Sequence, residues 1–240
     1  MNESHNPPDG SMELSAEEIQ ARVLHRDGLM LVIDKPAGLP VHRGPKGGPN
    51  LEASFDALRF GLPRPPVLAH RLDRDTSGCL VLGRHRKATA SLGLLFKHGR
   101  ISKTYWAVVQ GGPEETEGNI DLPIGRLNAE RGWWQKIDED GQKAATNWKV
   151  LGRSEGLTWL SLEPLTGRTH QLRVHTKAMG WPIVGDNIYG NGPRFGEPRL
   201  HLHAREIVIP ISRNKEPVRV TAPAPEHMHE RLRACGWIGD

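Results

Sequence analysis

Nine consecutive residues, His70-Arg71-Leu72-Asp73-Arg74-Asp75-Thr76-Ser77-Gly78, hold the densest chemistry in the chain. Four of the first six side chains are charged, so the run belongs at a surface. It is nevertheless bracketed by the apolar stretches Val67-Leu68-Ala69 and Cys79-Leu80-Val81-Leu82. The second stretch reads as a buried strand, which places the charges at the edge of a rigid sheet. A carboxylate fixed there among arginines suits a reaction on an anionic substrate. Taken on its residues alone, Asp73 has a plainer use, capping its own turn. Three other segments are polar where a purely structural one would not be: Asp34 to His42, Lys103-Thr104-Tyr105, and Leu165 to His175 continuing through Gly180 to Gly190.

Elements able to position these segments flank each of them. Ser15-Ala16-Glu17-Glu18 has the form of a capping box and predicts a helix to about Arg26. Leu29 to Ile33 reads as a buried strand, closed by a turn with Pro36 and Gly38. Leu51 to Phe60 predicts a helix, and the prolines from Pro63 to Pro66 stop it and force an extended entry to the charged turn. Cys79 to Gly83 and Ser102 to Gln110 read as strands. Between them, Lys87 to Lys97 reads as a helix with Leu92, Leu95 and Phe96 on one face. Residues 111–140 are polar and irregular, with room for a hairpin and an exposed loop. A strand pair is expected over 143–151 and 157–165, and a helix over 169–179 that stops at Gly180. A Gly/Pro-rich loop spans 186–198, strands follow at 200–211 and 218–221, and a helix at 226–235 closes the chain. Strands and helices mix without strict βαβ alternation. The expectation is an α+β fold on a central mixed, largely antiparallel sheet. Residues 15–240 are expected to form one domain, behind a polar, mobile tail over 1–14.

A chain of 240 residues can bury one good core. No apolar run approaches the roughly 20 residues that span a bilayer, and the N-terminus lacks the basic start and apolar centre of a signal peptide. No membrane partner is expected. Cys79 and Cys235 lie far apart and outside any CxxC pair, which argues against a disulfide framework or zinc ribbon and makes a reducing cytoplasm the natural setting. The net charge of +4 says little, but its distribution says more. From Arg59 to Lys103 there are ten lysines and arginines against two acids. Such a cluster suits a polyanion, nucleic acid above all, although a solvated basic face would look the same. His201-Leu202-His203 and His227-Met228-His229 invite a metal, but nothing nearby completes a ligand set. The glycine-rich stretches lack the phosphate-loop and dinucleotide patterns. No cofactor and no metal are expected. Trp133-Trp134, beside Arg131 and Lys136, could stack on RNA, although buried hairpin aromatics are the favoured reading.

Together the four polar segments resemble the RluA branch of the pseudouridine synthases. That family shows HRLDxxTSG, a K-x-Y strand, GRTHQ[IL]RVH, G-x-P-I-x-GD-x-x-YG and an early NKPxGxxVH. The matching residues run in the same order here, between about Leu29 and Pro223, with Asp34 in place of the usual Asn. Members often carry an N-terminal S4 RNA-binding domain, for which the residues before Leu29 are too few. The resemblance implies a pseudouridine synthase fold whose sheet is bisected by an active-site cleft. It also implies isomerisation of specific uridines in ribosomal or transfer RNA. The C1′–N1 bond breaks, the base turns over and C1′–C5 forms, with every atom supplied by the uridine.

On this resemblance Asp73 is the catalytic carboxylate, acting at C1′ as nucleophile or as base, while Asp75 keeps the turn-capping reading. Arg173 is its partner, a guanidinium that would hold the carboxylate ionised and oriented. On spacing alone, His170, Arg173 and Lys177 form a helical stripe that could equally be a solvated face. Tyr105 is the platform under the uracil and a possible aid in removing the C5 proton, against the plainer reading of a core strand aromatic. Tyr189 keeps a structural reading. Arg71 either fills the stack left by the flipped nucleotide or clamps a phosphate. The basic motif positions Lys35, His42, His70, Arg74, Arg168 and His170 are expected to contact RNA. The chain is expected to act as a monomer. The alternative is an inactive RNA-binding or assembly module of the same fold, against which the intact Asp73, Tyr105 and Arg173 argue. A carboxylate glycosidase would need a second acid across the bond, and Asp75 sits in the same turn as Asp73.

Overall fold

The apolar run that precedes the early turn becomes a strand buried on both faces, and the rest of the sheet grows outward from it. The computed structural model describes residues 13–44, 47–128, 133–212 and 214–240; most of the expected tail, and Arg131, lie outside them. In chain order the elements are α1 (Ala16–Ala21), β1 (Val23–Arg26), β2 (Met30–Lys35), a 3-10 helix (Leu51–Leu58), β3 (Val67–Leu68), β4 (Ser77–Gly83), α2 (Arg86–Lys97) and β5 (Ser102–Gln110). Then come β6 (Glu117–Asp121), β7 (Ile124–Arg126), β8 (Gln135–Ile137), β9 (Ala145–Ser154), β10 (Leu157–Pro164), α3 (Gln171–Ala178), β11 (Leu202–Ile209), β12 (Val218–Thr221), a short 3-10 turn (Glu226–Met228) and α4 (His229–Ala234).

The capping box at Ser15 forms as the sequence predicts: Glu18 N–H donates to Ser15 Oγ at 3.2 Å, and Ser15 N–H to Glu18 Oε2 at 2.7 Å. The helix nevertheless ends at Ala21 rather than near Arg26. Residues 23–26 are a strand instead, because Val23 and its successors pair antiparallel with Ile33 and its predecessors. Pairing to a completely buried neighbour outweighs a few residues of helix propensity. Met30, Leu31, Val32 and Ile33 are fully buried, each worth about 1.5–3 kcal/mol of transfer free energy.

Among the described residues ten strands make one sheet, in the order β1-β2-β4-β11-β5-β10-β9-β6, with β3 on β4 and β12 on β11. Every pairing is antiparallel except β4 with β11, so the sheet is mixed and largely antiparallel, with helices against it. That parallel joint is narrow, with His203 opposite Ser77 and Ala204 opposite Gly78. Gly78 makes it possible. Its φ is +104°, and a Cβ there would collide with the Ala204 backbone. Across the joint Ser77 Oγ donates to His203 Nδ1 at 2.9 Å, and His203 Nε2–H points at the Ala222 carbonyl at 3.3 Å. On one side of the joint β1, β2 and β4 pack with α1, the 3-10 helix and α2 around Met30–Ile33 and Leu80–Leu82. On the other, β5, β9 and β10 enclose Ala107, Leu160 and Leu162. Tyr105 packs against both clusters. The turn carrying Asp73 enters β4 where the two halves meet.

Candidate active site

The His70–Thr76 turn, the β5 strand and the start of α3 converge on a cavity of about 380 Å³. Asp73, Tyr105 and Arg173, far apart in sequence, all line it, together with His70, Arg71, Arg168 and His170. Among its lining residues Asp73 is the one carboxylate, faced by the cationic Arg71, Lys97, Lys103, Arg168 and Arg173.

The Asp73 turn is held from beneath. Lys35, at the end of β2, is completely buried, and its ammonium donates to the carbonyls of Pro36 at 2.7 Å and Arg74 at 2.8 Å. Gly38 N–H donates to the same Arg74 oxygen at 2.9 Å. Burial pushes the Lys35 pKa down to about 7 against the pull of Asp75 and Asp73. Lys35 is therefore not open to solvent as an RNA contact at its motif position would be, and it supports the Asp73 turn from below.

Three more expected RNA contacts are placed elsewhere or otherwise occupied. His42 lies outside the cavity lining, exposed and paired with Glu52 through Nδ1 at 2.6 Å. The Arg74 guanidinium turns away from the cavity onto Asp75, at 3.0 and 3.3 Å. His70 lines the cavity, but its Nε2 accepts the Val81 N–H at 3.0 Å and its ring stacks on Phe96 at 4.2 Å. Burial drives its pKa down to about 3. His70 is a neutral wedge between turn and sheet, with no positive charge to offer a phosphate.

Arg173 is also placed differently from the expectation. The guanidinium is 3 % exposed, so the His170–Arg173 part of the helical stripe faces inward; only Lys177 is solvated. Its hydrogen bonds go to Asp186, not to Asp73: Nε to Oδ2 at 2.9 Å and Nη2 to Oδ1 at 2.7 Å. Asp186 Oδ1 also accepts the backbone N–H groups of Ile188 and Tyr189, each at 2.9 Å. Burial works against both charges. The paired hydrogen bonds and charges outweigh it, lowering the Asp186 pKa and raising that of Arg173. Asp73 contributes to the rise on Arg173, so the two still interact through space. Asp186 stood in a quoted motif without a role. One signal marked it: it is the lone acid between Glu163 and Glu197, in a stretch with four lysines and arginines.

His170 is nearest to Asp73, with Nε2 at 3.7 Å from Oδ2. Its Nδ1 is 2.7 Å from the Tyr189 hydroxyl, which also accepts the Gln135 N–H at 2.9 Å. The adjoining wall is built by Gln171. Its Oε1 accepts Thr166 Oγ1 at 2.7 Å and the Arg168 N–H at 3.1 Å, while its Nε2 donates to the Ala145 carbonyl at 2.9 Å. Arg168 itself is exposed at the rim, with Nε on the Lys143 carbonyl at 3.0 Å. Tyr105 is half-buried on the cavity floor. Burial, reinforced by the Asp73 charge, raises its pKa above the ordinary phenol value and keeps it neutral. Trp133 corrects the reading of buried hairpin aromatics: it is 58 % exposed and sits edge-on to His170 at 5.7 Å. Such a site can hold a planar base on an aromatic floor, grip its phosphates at the rim and present one carboxylate to its sugar.

Comparison with known proteins points the same way. A family model described as RNA pseudouridylate synthase matches residues 29–178. An uncharacterized RNA pseudouridine synthase of Zymomonas mobilis is 42% identical over 207 residues, covering 85% of this chain and 94% of that one. One from Synechocystis is 35% identical over 237 residues, covering 92% and 71%. Among solved structures, human RNA pseudouridylate synthase domain containing 4 superimposes with a TM-score of 0.75 at 28% identity, covering 91% of this chain and 95% of that one. Human RNA pseudouridylate synthase domain containing 1 gives 0.73 at 31%, covering 93% and 90%.

Proposed function

We propose that this chain, which belongs to the RNA pseudouridylate synthase family and is an RNA-modifying isomerase, uses Asp73 to isomerise particular uridines of ribosomal or transfer RNA. The observation that carries this reading is the cavity's charge pattern, a single carboxylate among five cationic side chains. The cations suit phosphates, which leaves Asp73 as the group able to act at C1′. Breaking C1′–N1 frees the uracil, which turns over and rejoins through C5. The C5 proton is then lost, and the base nitrogen N1 becomes an N–H.

Tyr105 serves as the neutral stacking floor for the uracil. Its raised pKa favours stacking and hydrogen bonding over service as a proton-abstracting phenolate. Arg173, held by Asp186, acts on Asp73 through its charge rather than by direct pairing. Arg71, exposed on the Asp73 turn, takes the flipping or clamping role, at a site where extruding the base costs a few kcal/mol. Trp133 offers an open aromatic face at the rim, the kind of surface on which unpaired bases stack. Single-stranded loops, with bases already splayed, are the cheapest targets. The unit of action is a monomer with one catalytic domain over residues 15–240. A reducing compartment such as the cytoplasm fits the two buried, unpaired thiols Cys79 and Cys235.

The test is tritium release from RNA labelled at C5 of uridine. Wild type is expected to release tritium and Asp73→Ala to release none. Equal release by both would remove Asp73 from the reaction. Release of free uracil, leaving an abasic site in the RNA, would mean glycosidic cleavage without religation.

A further inference from the structure

We propose that His170 is a positioning residue for Asp73: its Nε2–H holds one carboxylate oxygen, leaving the other free to face C1′ of the bound nucleotide, and Tyr189 fixes the tautomer that makes this possible. The inference rests on the assignment of Asp73 above.

The proton bookkeeping starts at Tyr189. Its hydroxyl oxygen already receives the Gln135 backbone N–H at 2.9 Å, and a backbone amide can only donate. Its second neighbour is His170 Nδ1 at 2.7 Å. With the phenol proton on that contact, all three groups are satisfied. Nδ1 is then the acceptor, and the single proton of the neutral imidazole sits on Nε2. The opposite tautomer would leave the phenol proton unmatched and aim a nitrogen lone pair at the Asp73 carboxylate. Both ends of the ring therefore select Nε2–H, facing Asp73 Oδ2.

The 3.7 Å separation is longer than a hydrogen bond. It is short enough for a small side-chain rotation to close, and catalytic contacts commonly tighten once substrate is bound. The backbone is arranged for the same end. His170 occupies the N-cap of α3, yet its φ is +55° and its side chain makes no capping bond. A non-glycine residue in the left-handed region is uncommon. Here it sends the ring into the cavity instead of back onto the helix. At 9 % exposure the ring is poorly placed to grip a phosphate, which changes its expected role from RNA contact to support. The charged and titratable groups around it are Asp73 and Arg71 on the turn, Arg173 on α3, and Asp186 and Tyr189 in the following loop, with Trp133 edge-on from the hairpin. Burial outweighs the two acids, and together with the two arginines it lowers the imidazole pKa, so the ring stays neutral at working pH.

The experiment measures tritium release at saturating enzyme from C5-tritiated total RNA of cells lacking the gene, over pH 5 to 9. Asn tolerates the left-handed backbone, but its amide stops short of the Nε2 position. His170→Asn should therefore keep its melting temperature and half-saturation while losing about 10- to 100-fold in saturated rate, the scale of a 1 Å misplacement. His170→Gln, which returns a neutral donor to that region, should recover part of the rate and flatten the acid limb of the pH profile. Tyr189→Phe should lower the rate and move that limb, because the tautomer is no longer set. The proposal is overturned if His170→Asn keeps the wild-type rate, or loses only half-saturation. A rate loss that Gln does not relieve, with an unchanged pH profile, overturns it as well. A wild type that binds this RNA but releases no tritium overturns the Asp73 reading itself and this inference with it, whereas an active wild type matched by His170→Asn overturns this inference alone.

Discussion

The Arg173–Asp186 pair is the most consequential side-chain contact of the site that does not touch Asp73. Both partners are almost inaccessible, at 3 % and 1 % side-chain exposure, and bidentate. Losing one member strands the other charge in a dry environment, which costs about 3–5 kcal/mol. Asp186→Asn is therefore expected to lose stability on that scale in urea unfolding and to reduce activity even where it remains folded. A loss under about 1 kcal/mol, the value of an exposed pair, would show that the pair is solvated. The residue scale is also where sequence reading was strongest and weakest. Asp73 and Tyr105 both line the cavity, and what singles them out in the sequence is the resemblance of their motifs, since on residues alone Asp73 reads as a turn cap and Tyr105 as a core aromatic. The partner of Arg173 was not, because an arginine's choice between Asp73 and Asp186 depends on how α3 and the following loop pack. Lys35 looked like one more open cation, since nothing in its own sequence shows that the Asp73 turn folds over it.

Among the elements, the β4–β11 joint fixes the site. It joins the two halves of the sheet through His203↔Ser77 and Ala204↔Gly78, next to the Asp73 turn. A methyl group at Gly78 meets the Ala204 backbone and an unfavourable φ at once. Gly78→Ala is predicted to cost about 3 kcal/mol or more, seen as a lowered urea midpoint. Its activity should fall faster than its folded fraction, because the Asp73 turn is displaced with the strand. A variant with wild-type stability and rate would mean that the joint is not rigid. The strands themselves were largely readable: Ser102–Gln110 falls where the sequence places it, and the 157–165 strand ends one residue early. The short helix α1 was not bounded correctly, because its end is decided by β1 pairing with β2, a contact with no local signature. The hairpin of β7 and β8 falls inside the irregular stretch that has room for one, although no local pattern bounds its strands, and its exposed Trp133 looks like core from the sequence because two adjacent tryptophans favour burial when packing cannot be seen.

Across the whole molecule, buried neutral histidines set the response to acid. Burial lowers His70 to about 3 and His201 and His203 to about 4, from an ordinary 6.5. The unfolded chain therefore binds more protons than the folded one between those values. The contribution of these rings is full above pH 6.5 and falls as pH drops toward the folded pKa values, by up to about 1.4 kcal/mol per pH unit for each group. Asp34, raised by burial to about 6, opposes this with the reverse sign, but it is one group against three. The urea midpoint should fall from pH 7 to pH 5; an unchanged or higher midpoint would contradict the assignment of neutral buried rings. Because His203 spans the sheet joint, activity should decline over the same range. The central claim concerns particular uridines and a particular carboxylate, so its most direct measurement is pseudouridine mapping of total RNA from cells lacking the gene and complemented with either wild type or Asp73→Asn. The account predicts that a small set of ribosomal or transfer RNA uridines stays unmodified in the deletion, is restored by wild type and remains unmodified with Asp73→Asn. Restoration of those sites by Asp73→Asn would contradict it.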